Sequence, residues 1–117
     1  MAGRILLVLL LCTASPCCWA HAFLTKASPL VGSQIPAAPS ELVLHFTERV
    51  ESLFCAVELL DPSGAAVSVA IPKVAGDGDA LVVTLPKLRP GTYTVVWHVT
   101  SVDTHKTEGR YQFTIGH

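Results

Sequence analysis

The sequence predicts an all-β domain, a Greek-key β-sandwich or barrel of about seven short strands. Three observations predict it. From Ala22 onward, apolar and polar residues alternate with period two in short runs. Pro and Gly separate these runs at short intervals. No stretch after the first twenty residues carries the i, i+3, i+4 apolar spacing of an amphipathic helix.

Taken in order, residues 22–27 form a short first strand. Ser28-Pro29, Gly32-Ser33, Pro36 and Pro39 then keep the backbone extended and non-helical. Over 41–48, Leu42, Leu44 and Phe46 take one face and Val43, His45 and Thr47 the other, so the first set is predicted core. Residues 54–60 are more continuously apolar and suit a central strand, with Cys55, Val57 and Leu59 on one side. The run Asp61-Pro62-Ser63-Gly64 has the residues of a tight turn, and 66–71 form a short return strand. Gly76-Asp77-Gly78-Asp79 is a loop; no glutamate twelve positions after the first Asp supports a calcium loop. Residues 81–85 are the next strand.

The strongest strand follows Arg89-Pro90-Gly91. Tyr93, Val95, Trp97 and Val99 share its inner face. A Pro-Gly turn leading to a tyrosine at a strand start resembles the tyrosine corner of immunoglobulin-like sandwiches. The last strand spans 109–115 and turns Tyr111, Phe113 and Ile115 inward.

Residues 1–20 do not belong to this domain. Arg4 forms a short basic region, 5–11 are apolar, Pro16 breaks the run, and Cys18-Trp19-Ala20 ends in a small residue. This is the pattern of a secretory signal peptide cleaved after Ala20, and the apolar run is too short to span a membrane. The expected mature chain, 21–117, begins at His21. It carries seven Lys and Arg against nine Asp and Glu, with no basic run, which argues against nucleic acid as a partner. Cys12, Cys17 and Cys18 leave with the leader. Cys55 then has no partner for an internal disulfide, so the domain must stand on its core. Met1, the sole methionine, also leaves.

The chemistry converges on Ser101-Val102-Asp103-Thr104-His105. In extended backbone, residues two apart point to one face, so Asp103 and His105 are expected to project together as metal ligands. Cleavage supplies the missing partners. A free N-terminal His21 offers its α-amine and its imidazole Nδ1, which close a six-membered chelate ring. The amine has an ordinary pKa of about 8, so the metal displaces a proton near neutrality. Two nitrogens from His21, one from His105 and an oxygen from Asp103 suit tetragonal Cu(II), where first-row affinity is greatest. Zinc accepts the same donors, usually in a tetrahedron. His45 is expected to be a surface or supporting residue, His98 and His117 to be exposed and without a role, and Cys55 to be a small buried hydrophobe.

The chain from 21 to 115 resembles the CopC copper-resistance family of periplasmic Cu(II)-binding proteins. The resemblance rests on an N-terminal His before a strand and Ser28-Pro29, and on Leu44-His45-Phe46-Thr47-Glu48. It extends to 90–97, Pro-Gly-Thr-Tyr-Thr-Val-Val-Trp, and to the 101–105 stretch leading to Gly109. It implies an immunoglobulin-like or cupredoxin-like fold. It also implies a Cu(II) site of His21, Asp103 and His105, with Glu48 as a weak axial or supporting partner. Without methionine in the mature chain, the methionine-rich Cu(I) loop of some members cannot exist here. The resemblance thus implies a non-enzymatic, exported, periplasmic protein of copper homeostasis. With no membrane span after Ile115, an inner-membrane copper transporter would be a separate partner chain. Two other classes compete. A histidine-brace copper oxidase or monooxygenase shares the terminal His, but Asp103 would fill its open position and no extended aromatic surface accompanies it. A metal-free immunoglobulin-like interaction module requires only the fold.

Overall fold

The computed structural model describes residues 22–116. Nine strands follow one another: β1 (Leu24–Ser28), β2 (Gln34–Ile35), β3 (Glu41–Phe46), β4 (Ala56–Leu60), β5 (Ala66–Val67), β6 (Lys73–Ala75), β7 (Ala80–Thr84), β8 (Gly91–Thr100) and β9 (Lys106–Ile115). One sheet has the order β1-β3-β7-β6 and the other β2-β9-β8-β4-β5. All pairings are antiparallel except β2 with β9. The predicted all-β sandwich is thus observed.

The core follows from the alternation. Leu42, Leu44 and Phe46 of β3 and Leu81 and Val83 of β7 face Val57, Leu59, Tyr93, Val95, Trp97, Val99, Tyr111, Phe113 and Ile115 across the sandwich, all buried. Each such side chain contributes about 1.5–3 kcal/mol on leaving water. Phe46 packs edge-on against Trp97 with centroids 5.2 Å apart, and Tyr93 stacks on Phe113 at 5.7 Å. The Tyr93 hydroxyl donates to the Arg89 carbonyl at 2.8 Å, which is the tyrosine corner its sequence context announces.

Some local expectations are revised. Residues 54–60 do not form one strand: Ser52–Phe54 close a 3-10 turn and Phe54 is exposed, so pairing begins at Ala56. Of residues 66–71 only Ala66–Val67 form a strand; Ala70 N already donates to the Thr84 carbonyl at 3.3 Å, and the chain continues in the opposite sheet as β6. Cys55 is half-buried rather than core. Its thiol donates to the Glu51 carbonyl at 3.0 Å, and burial pushes its pKa up. The sole methionine, the leader and His21 lie outside the described residues, as does His117.

Candidate metal centre

β8 and β9 form a long hairpin whose register runs from Gly91↔Ile115 to Thr100↔Lys106, leaving 101–105 as its loop. The loop is closed by its own backbone: Ser101 N donates to the His105 carbonyl and Thr104 N to the Ser101 carbonyl, both at 2.9 Å. It is also fixed to the segment that follows β3. Ser101 bridges Val50, Val102 N donates to the Arg49 carbonyl at 3.0 Å, and Glu51 N donates to the Thr100 carbonyl at 2.8 Å. The loop is therefore held on two sides.

Asp103 and His105 do meet, but not on the extended backbone expected. The backbone turns at 102–104, and Thr104 adopts a φ of 73°. This left-handed turn, and not strand pleat, brings the two side chains to one place. His105 Nδ1 stands 3.2 Å from Asp103 Oδ2, with both side chains partly exposed. Two donors about 2.1 Å from one ion and at right angles to each other are about 3 Å apart, so this separation matches one edge of a metal polyhedron. The other carboxylate oxygen, Oδ1, accepts the Ser101 hydroxyl. That hydrogen bond first, and then the one from His105, hold the Asp103 carboxyl below its ordinary pKa. Asp103 is thus kept anionic, as a ligand must be.

Among the described residues no group of three or more His, Cys, Asp and Glu is gathered for a metal. Asp103 and His105 meet as a pair. The segment that leads into the domain runs beside them. Ala22 is fully buried, and its carbonyl accepts the Thr107 hydroxyl at 2.6 Å, two residues after His105. Phe23 pairs with Thr47: its N–H donates to Thr47 Oγ1 and its carbonyl accepts Thr47 N–H, each at 2.9 Å. His21, the residue before Ala22 in sequence, lies outside the described residues. Glu48 is exposed, next to Thr47 and Arg49, on the segment hydrogen-bonded to the 101–105 loop.

Two features were not anticipated. Ser101 is a buried anchor for Asp103, as above. His98, expected to be an unengaged surface residue, lies opposite Glu108 on the outer face of the hairpin, with Nδ1 3.1 Å from Oε2. Outward residues placed symmetrically about the 101–105 loop are cross-strand neighbours, so the hairpin register alone would have paired them. His45 is half-buried on β3, between Lys26 of β1 and Ala80 of β7.

A family model described as the CopC domain matches residues 24–116. The chain belongs to the CopC family. Protein YobA of Escherichia coli (strain K12) is 39% identical over 104 residues, covering 86% of this chain and 83% of the relative. The crystal structure of CopC from Methylosinus trichosporium OB3b superposes with a TM-score of 0.77 at 34% identity, over 81% of this chain and 93% of that one. PcoC from Escherichia coli, described as a methionine-rich copper resistance protein, gives a TM-score of 0.74 at 30% identity, over 83% of this chain and all of its own. The CopC family is thus one of copper-resistance proteins, and its fold is the sandwich described above. This member departs in composition from the methionine-rich one: Met1 is its only methionine.

Proposed function

We propose that this CopC-family chain is an exported Cu(II)-binding protein of the periplasm that sequesters, buffers or delivers copper. Its ligands are the α-amine and imidazole of His21, freed by cleavage after Ala20, together with Asp103 and His105. Glu48 is a weak axial or supporting partner. It acts by chelation and without turnover.

The observation that carries this reading is the Asp103–His105 edge of 3.2 Å at the end of the hairpin where Thr107 fixes Ala22. The donor set is nitrogen and anionic oxygen, which favours Cu(II) over soft Cu(I). The lone methionine at position 1 supports the same oxidation state, since no thioether remains once the leader is removed.

The test is a Cu(II) titration of protein whose first residue is His21, followed by EPR. The expected result is one equivalent bound with a tetragonal nitrogen–oxygen signature. A single residue added before His21 should abolish the terminal chelate and weaken binding by several orders of magnitude. Equal affinity for the two forms would refute the site.

A further inference from the structure

Ser101 is fully buried, and the hydroxyl of a buried serine needs a partner. Every polar group of Ser101 is spent on the loop that carries Asp103 and His105. Its N–H donates to the His105 carbonyl, its carbonyl accepts Thr104 N–H, and its hydroxyl reaches Asp103 Oδ1. The His105 carbonyl lies 3.2 Å from the same hydroxyl. A hydroxyl has one proton to give, and a carboxylate accepts it more strongly than a neutral carbonyl already served by an N–H.

We propose that Ser101 is a positioning residue for copper: its hydroxyl pins one oxygen of Asp103 so that the other stays beside His105 Nδ1 before the ion arrives. This rests on the Cu(II) site proposed above. The side chain of Asp103 is partly exposed, and a carboxylate in such a place otherwise samples several rotamers. The tether confines it to the orientation that presents Oδ2 to the metal edge. Supporting partners of this kind are worth 10- to 100-fold in metal affinity. Alanine at 101 keeps both backbone hydrogen bonds, so the turn persists and only the tether is lost.

The test is a double-mutant cycle on Cu(II) affinity with Ser101→Ala, Asp103→Ala and both together, on protein beginning at His21. Ser101→Ala should weaken binding about tenfold and shift the Cu(II) EPR hyperfine splitting. In the Asp103→Ala background the same change should cost less than about twofold, because no carboxylate remains to be held. Thr92→Ala, which deletes a hydroxyl paired with Thr114 at the far end of the hairpin, should leave affinity unchanged. In the metal-free wild type, NMR should reveal a protected Ser101 hydroxyl proton in contact with the Asp103 carboxylate. That measurement needs no variant and decides the matter should Ser101→Ala not fold. Unaltered affinity in Ser101→Ala, an undiminished loss in the Asp103→Ala background, or absence of the hydroxyl contact would each overturn the positioning role while leaving the copper site standing. A wild type that binds no Cu(II) would overturn both.

Discussion

The Thr107 hydroxyl donates to the Ala22 carbonyl at 2.6 Å across 85 residues of sequence. It ties the segment before β1 to the start of β9, directly after the loop that bears Asp103 and His105. The Ala22 residue is fully buried, so its carbonyl has no access to bulk water as an alternative.

Thr107→Val removes this hydroxyl at nearly constant volume. It should cost about 1–2 kcal/mol in folding, the penalty for a buried acceptor left without its donor. On the site proposed above, Cu(II) affinity should fall severalfold besides, because Ala22, next to His21 in sequence, loses its tether. Denaturant melts and a copper titration on one sample separate the two effects. A loss of stability with wild-type affinity would show that the terminus is held by other contacts.

Copper binding should weaken as pH falls from 8 to 5, and Asp103 should not be the reason. Its carboxyl is held below the ordinary range by Ser101 and then His105, so it is ionised throughout that interval. On the site proposed above, the loss would come from protons competing with the metal for its nitrogen ligands. Asp103→Asn should therefore lower affinity while leaving the slope of log Kd against pH unchanged over this range. In the linkage of folding to pH the sign is that of a lowered acid. The stability that Asp103 and Asp61 contribute is present above the ordinary carboxylate range and is lost as pH falls through their depressed folded values. Asp61 is lowered chiefly by the Ser63 hydroxyl, with help from the backbone of Ala65. Asp61→Asn should thus raise the sensitivity to mild acid least and alter the acid limb below pH 4 most, as followed by circular dichroism.

Thr104 is the one described non-glycine residue at positive φ, and it is β-branched. Such a residue in the left-handed region costs of order 1–3 kcal/mol. Thr104→Gly relieves that strain and returns part of the gain to the unfolded chain as entropy. A net stabilisation of about 1 kcal/mol is expected by chemical denaturation, with copper affinity within threefold of wild type. A destabilised Thr104→Gly would mean that the threonine side chain has a contact worth more than its backbone strain.

The sequence made β8, the inward residues of β8 and β9 and the tyrosine corner readable, because long strands repeat the period-two signal many times; β9 begins at Lys106, three residues ahead of the expected 109, where the polar run Lys106-Thr107-Glu108 carries no apolar alternation. It identified Asp103 and His105 as a pair from spacing alone, although the backbone that joins them is a left-handed turn that a threonine does not advertise. The shorter strands were harder to read. Val67 ends its pairing after two residues and Lys73 begins another in the opposite sheet, choices made by neighbouring edges and not by local pattern. The role of Ser101 was invisible for the same reason: its burial comes from the Val50 bridge, half the chain away.

Gly109 is fixed by Trp97. The two are cross-strand partners on β9 and β8, and a Cβ at 109 would stand 2.5 Å from Trp97 Cζ2 and 2.8 Å from Cε2. The indole is buried and held edge-on by Phe46, so it has no free direction in which to withdraw. Gly109→Ala therefore overpacks the end of the core that lies beneath the 101–105 loop, at a cost of about 1–3 kcal/mol. Trp97→Phe in the same chain vacates part of the indole's space and should recover a portion of that loss. The cycle of the two substitutions, measured by denaturant unfolding, should show a coupling of about 1 kcal/mol or more. Strict additivity would mean that β9 shifts away from β8 instead, and the register at Thr100↔Lys106 would then be the place to look for the displacement.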